Sequence, residues 1–141
     1  MNGDRILLDT NIVSYIFRKH PLGEKYKPHI EGRLLFVSFI TPAEMYYGAY
    51  KDEWGIEKQN RLAKHLRGYA VIPFNFEICR KWGDIKAGLW RERNLIKDND
   101  IWIAATALIA GIPLITHDSG DFDRIPGLKI VTEPGGIIEG K

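Results

Sequence analysis

A helix that is apolar on every side has to be covered on every side, and residues Asn99 to Gly111, NDIWIAATALIAG, spell such a helix. Ile101, Ala104, Ala105, Leu108 and Ile109 recur at helical spacing, while Trp102, Ile103 and Ala107 make the other faces apolar too. Asp98 or Asn99 stands where a cap belongs, and Gly111 followed by Pro113 stops the helix. One residue breaks the pattern. Asp100 lies in the first turn, where free backbone amides and the helix dipole favour a carboxylate. It is either a helix-entry acid or a ligand aimed into a cleft.

The rest of the chain alternates short apolar runs with helical patterns. Arg5 to Leu8, Leu34 to Phe39, Tyr69 to Pro73, Ile112 to Thr116 and Leu128 to Val131 read as strands, the first two buried on both faces. Thr10 or Asn11 caps a helix running to Phe17, the basic turn Arg18-Lys19-His20-Pro21 follows, and a second helix covers Gly23 to Ile30. Thr41-Pro42-Ala43-Glu44 has the form of a capping box, opening a helix with Met45, Tyr46, Ala49 and Tyr50 as its apolar stripe. A further helix spans Glu57 to Arg67 with Leu62 and Leu66 inward. A long one runs from a cap at Asn75 to Arg93, with Ile78, Trp82, Ile85, Leu89 and Trp90 at helical spacing. His117 to Arg124 is a polar turn or short helix. Strands alternating with helices predict an α/β fold whose parallel sheet is covered on both faces.

Length and composition set the bounds. At 141 residues the chain is expected to form one domain over residues 1–141, with a Pro/Gly-rich tail from about 133. Its 20 basic and 18 acidic residues nearly cancel, so net charge neither demands nor excludes a nucleic-acid partner. The single Cys79 forbids an internal disulfide and fits a reducing cytoplasm; it also leaves no cysteine pair for zinc. His20, His29, His65 and His117 show no pairing at metal-ligand spacing. No run approaches the roughly 20 apolar residues of a membrane span, so the chain is expected to be soluble and cytoplasmic.

Carboxylates stand at the points where such a sheet binds ligands, the carboxyl ends of its strands. Asp9 ends the first strand, Glu44 starts the helix after the second, Asp100 starts the helix leading into the fourth, and Asp118 lies just past the fourth. Each has a local alternative: Asp9 as turn or cap, Glu44 as the closing residue of its capping box, Asp118 and Asp121 as turn residues around Ser119-Gly120. Independent caps and turns have no reason to crowd one rim. Acids that do crowd repel one another unless a cation joins them. Oxygen ligands without cysteine or paired histidine suit Mg²⁺ or Mn²⁺, and such a site suits hydrolysis of a phosphodiester, with one ion or two. Thr10, Asn11, Thr116 and Ser119 are candidates to orient these acids by hydrogen bonds.

The segments LLDTN (Leu7 to Asn11), TPAEMYYG (Thr41 to Gly48), NDIWIAATA (Asn99 to Ala107) and ITHDSGDF (Ile115 to Phe122), in that order and spacing, resemble the PIN domain, and in particular the toxin ribonucleases of VapBC toxin–antitoxin systems. The resemblance covers Ile6 to about Val131. It implies a five-stranded parallel sheet of order 3-2-1-4-5, a Mg²⁺- or Mn²⁺-dependent endoribonuclease, a homodimer, and a VapB-type antitoxin whose tail enters the acidic cleft. The family's four acids fall on Asp9, Glu44, Asp100 and Asp118, which serve there as metal-ligating and catalytic residues, with Asp121 as the alternative or auxiliary fourth. The chain departs from many relatives at Arg93-Asn94-Leu95, where they carry a glycine.

Other classes remain to be weighed. A PIN-like scaffold that binds RNA or protein without cutting would have lost acids. A metal-dependent phosphatase with Asp9 as nucleophile would want an aspartate at residue 11, where Asn11 stands. An RNA substrate needs positive charge beside the acids, for which Arg18, Lys19, Arg91, Arg93 and Lys97 are candidates, and Tyr46, Tyr47 and Trp54 could stack on bases. Tyr46, Tyr50, Trp54 and Trp90 exceed what a small core needs and suit a groove or dimer interface.

Overall fold

The computed structural model describes residues 4–133; the expected Pro/Gly-rich tail, apart from Glu133, lies outside the described residues. The chain runs β1 (Arg5–Leu8), α1 (Thr10–Phe17), α2 (Pro21–Ile30), β2 (Leu34–Ser38), α3 (Ile40–Lys51), α4 (Ile56–Leu66), β3 (Ala70–Ile72), α5 (Phe76–Arg91), α6 (Asp98–Ala110), β4 (Leu114–Ile115) and β5 (Ile130–Val131). A 3₁₀ turn, Ser119–Asp121, follows β4. The strands form one sheet of order β3-β2-β1-β4-β5, parallel throughout, as the sequence led us to expect.

β1 is the centre of the sheet and divides its core. Leu7 lies between Phe36 of β2 and Leu114 of β4. Because strand side chains alternate, Leu7 joins a cluster with α5 and α6, while Ile6 and Leu8 join one with α1, α3 and α4 on the opposite face. The apolar α6 supplies Ile101, Ile103, Ala104, Ala105 and Ala107 to the first cluster; Leu108, Ile109 and Trp102 pack at its margin. Its small residues let α5 lie close against it, the most extensive helix pairing in the structure. Gly111 ends α6 at φ 70, a left-handed position that a side chain would strain. No helix among the described residues is long and apolar enough to cross a membrane.

Helix starts differ from the expected ones. Asp9, rather than Thr10 or Asn11, caps α1, its Oδ1 accepting the Thr10 amide at 2.7 Å. α2 begins at Pro21 because the ring of His20 serves as cap, its Nδ1 accepting the Leu22 amide at 3.0 Å. α3 starts at Ile40 with no side-chain cap, so the capping box does not form: Thr41 sits inside the helix with no exposed surface. Lys97 holds the cap position of α6, and Asp98 and Asn99 lie in its first turn with other partners. Asn75 does cap α5, at 2.8 Å from the Ile78 amide. β4 and β5 are only two residues each, although the Thr116 amide still bonds to Val131. On α5, Ile78, Trp82, Ile85 and Leu89 face the core as expected; Trp90 does not, at 72% exposed. Arg93, in the segment before Asp100, takes the left-handed φ of 56, a conformation that glycine adopts most easily.

Candidate active site

The chain adds strands outward from β1 through β2 to β3, then crosses back to place β4 on the other side. The carboxyl ends of β1 and β4 thus border the point where strand order reverses. A cleft of about 420 Å³ opens there, and Asp9, Glu44, Asp100, Asp118 and Asp121 all line it. Thr10 and Asn11 line it as well, while Thr116 is buried beneath it. Acids from four separate stretches of chain meet at one rim because each follows a strand or opens a helix at that end of the sheet.

Hydrogen bonds fix their positions. Asp9, only 5% exposed, accepts the Thr10 amide on Oδ1 and the Thr116 hydroxyl on Oδ2 at 2.7 Å. Thr116 Oγ1 in turn accepts the Asp118 amide at 3.0 Å, so one hydroxyl ties the β1 acid to the β4 acid. Glu44 Oε1 accepts the Thr10 hydroxyl at 2.6 Å, and its Oε2 accepts Asn99 Nδ2 at 3.2 Å. Since Thr10 has one hydroxyl proton and gives it to Glu44, Thr41 is the donor in the 2.9 Å contact between the two threonines. Asn11 Nδ2 donates to Asp118 Oδ2 at 2.8 Å. Ser119 is buried and makes no side-chain bond to an acid among the described residues; its carbonyl closes the turn by accepting the Phe122 and Asp123 amides.

The sequence reading missed Asn99 and Thr41 as partners of the site. Asn99 sits beside Asp100 in the first turn of α6, and an amide next to a candidate ligand at a helix mouth was the signal. Thr41 was read as a cap, a role that conceals a buried one. Among the basic candidates, Arg18 and Lys97 line the cleft; Lys19 does not, and Arg91 and Arg93 border a separate cavity with Trp90 and Leu95. Trp54 also lines the cleft, but Phe17 stacks on it and Lys58 Nζ lies 4.0 Å from its ring centroid.

Crowding shows in the acidities. Burial above all, with the charges of Asp100 and Asp118, raises Asp9 to about 7 against the lowering by Thr116 and the Thr10 amide. Burial first, then Asp121, Glu44 and Asp118, raises Asp100 to about 6 although Lys97 opposes them. Asp9 and Asp100 therefore resist being charged together with the acids around them. Among the described residues no three Asp, Glu, His or Cys side chains converge tightly enough to hold an ion as they stand. The donor chemistry nonetheless fits a hard cation. Every candidate ligand is an oxygen, and Asn11 Oδ1 is buried without a hydrogen-bond partner.

Removing the Thr116 hydroxyl tests how far this network matters. Thr116→Val withdraws a bond from Asp9 and strands the Asp118 amide. The activity of the cleft is expected to fall about 10- to 100-fold, the usual loss when a side chain that orients a working carboxylate is removed, with Thr116→Ser close to wild type. Initial rates of the two variants beside wild type measure it.

Comparison with known proteins agrees with the geometry. The PIN domain family matches residues 6–128. The chain belongs to that family. Among its curated relatives, Ribonuclease VapC2 of Haemophilus influenzae is 33% identical over 125 residues, covering 89% of this chain and 95% of that protein. Among solved structures, VapBC2 from Rickettsia felis, bound to a DNA fragment from its promoter, superimposes with TM-score 0.81 at 28% identity, over 91% of this chain and 98% of that one. VapBC-1 from nontypeable Haemophilus influenzae does so with TM-score 0.78 at 30% identity, over 91% and 97%.

Proposed function

We propose that this chain is a Mg²⁺- or Mn²⁺-dependent endoribonuclease, the toxin of a type II toxin–antitoxin pair. The observation that carries the reading is the cleft at the strand-order reversal, lined by Asp9, Glu44, Asp100, Asp118 and Asp121. Relatives that share nearly the whole chain are named ribonucleases, which supports RNA as substrate. In this reading Asp9, Glu44, Asp100 and Asp118 hold the cation, with Asp121 auxiliary; when bound, the ion polarises the scissile phosphoryl group and acidifies the attacking water. Thr10 and Thr116 hold Glu44 and Asp9 in register, and Asn11 and Asn99 orient Asp118 and Glu44.

The structural neighbours solved as VapBC assemblies support a VapB-type antitoxin as partner. Tyr47 and Tyr50 on α3 and Trp90 on α5 leave large aromatic surface uncovered, which supports a homodimer. We assign the protein to the cytoplasm, in keeping with its single cysteine. The phosphatase alternative has no acid at residue 11: Asn11 there donates to Asp118. Incubating the protein with RNA and Mg²⁺ tests the proposal. Wild type is expected to cut, and both chelation by EDTA and Asp100→Asn are expected to stop it with circular dichroism unchanged. Hydrolysis of phosphomonoesters alone would sink it.

A further inference from the structure

We infer that the trough between α1 and α3 is a subsite for the RNA strand, in which Arg18 grips a phosphate beyond the one being cut and Gly48 stays bare so that the strand can pass. The inference rests on the ribonuclease reading above and extends it along the cleft. Two helices lead away from the acids side by side. On α1 and its C-cap, Thr10, Ser14 and Arg18 line the cleft at intervals of four residues, and on α3 Glu44 and Gly48 do so one turn apart. Arg18 follows Thr10 by eight positions, about 12 Å along the helix axis at 1.5 Å per residue. The guanidinium folds back to Ser14, four positions and about 6 Å along the axis beyond Thr10, so it meets the strand about one helical turn out from the acids.

Arg18 is held but not neutralised. Its Nε donates to Ser14 Oγ at 3.1 Å, and its guanidinium carbon lies 5.6 Å from the centroid of the Tyr15 ring. No carboxylate among the described residues comes within 4 Å of it. Asp52 lines the same cleft, but Lys51 Nζ bonds its Oδ1 at 2.9 Å. A guanidinium with its remaining donors free, fixed in place on the wall of a cleft, suits the fork geometry of a phosphate.

Gly48 is the second observation. It lies inside α3, where glycine is a poor helix former. A Cβ added to it would meet nothing within 4 Å, so packing within the chain does not require its smallness. What its bareness leaves open is the cleft itself. A polyanion moving from the acids toward Arg18 passes over this position.

Steady-state cleavage of a single-stranded RNA over a range of salt concentrations tests the subsite. Arg18→Ala is expected to lower kcat/KM about tenfold or more, as loss of a charge-assisted bond would, with kcat within about twofold of wild type. The slope of log kcat/KM against log salt is expected to flatten by about 0.7, the release of one phosphate contact on a single strand. Lys19→Ala, next in sequence but outside the cleft, is expected to leave both unchanged. Gly48→Leu should raise KM about tenfold or more while keeping the wild-type circular dichroism, and Gly48→Ala should melt above wild type. A wild type that cuts while Arg18→Ala keeps the wild-type KM and salt slope, or while Gly48→Leu cuts normally, overturns this inference alone. A wild type that cuts no RNA overturns the ribonuclease reading and the subsite with it.

Discussion

Replacing Asp9 by Asn is expected to abolish RNA cleavage and, in the same protein, to raise the melting temperature of the metal-free chain. The two effects share one cause. Asp9 is a carboxylate confined at 5% exposure among other acids, so its charge is a liability to the fold and an asset only to a cation. The loss of activity should exceed the roughly 10- to 100-fold that removing an outer partner of a metal ligand costs. On the stability side, Asn keeps the shape and the acceptor for the Thr10 amide but carries no charge. The rise from 3.8 to about 7 corresponds to roughly 4 kcal/mol at about 1.36 kcal/mol per unit. At about 2 to 4 °C per kcal/mol for a chain of this size, and allowing for the weakened bond from Thr116, a gain of about 5–10 °C at pH 8 is expected. A melt in EDTA reads it. An Asp9→Asn protein that melts well below wild type would make the residue structural.

The metal-free wild type is expected to lose stability as pH rises from about 4 to about 7. Asp9 and Asp100 both have folded acidities above the unfolded value of 3.8, so through this window the folded chain binds more protons than the unfolded one. Stability then falls with increasing pH. The penalty is absent below the unfolded value, grows as pH climbs, and is complete above about 7, where Asp9 is charged in both states. Mg²⁺ should reverse it, since a ligand bound only by the folded state stabilises by mass action. Denaturant midpoints at pH 5 and pH 8, with EDTA and with millimolar Mg²⁺, measure the effect. A flat profile without metal would mean that neither burial nor the neighbouring acids disfavour the charged forms of Asp9 and Asp100.

The main lines of this site were legible because strand ends are legible. A short apolar run ending in Asp9, a second run followed by Glu44, and an apolar helix opened by Asp100 each announce their place in a parallel sheet, and the sheet gathers them. What the sequence concealed was the use of polar side chains whose ordinary role lies nearby. Thr41 has the local signature of a cap, yet tertiary packing buries it against Thr10, and α3 starts two residues earlier than that cap implies, without a side-chain cap. His20 caps α2 although histidine is seldom chosen for that role. Asn99 reaches 55 positions back to Glu44, a pairing that no local rule contains. Trp90 follows the buried Leu89 by one position, about 100° round the helix, which turns it off the stripe that Ile78, Trp82, Ile85 and Leu89 form. Arg93 occupies a left-handed position that residue preferences assign to glycine, so the local backbone there was not legible from its side chain.

The central claim is that acids from four stretches of the chain share one hard cation. Calorimetric titration of Mg²⁺ or Mn²⁺ into the purified protein at pH 7.5, wild type beside Asp9→Asn, Glu44→Gln, Asp100→Asn and Asp118→Asn, tests it most directly. The account predicts binding by wild type and at least about tenfold weaker binding by each variant. Four variants that bind the ion as tightly as wild type would contradict it.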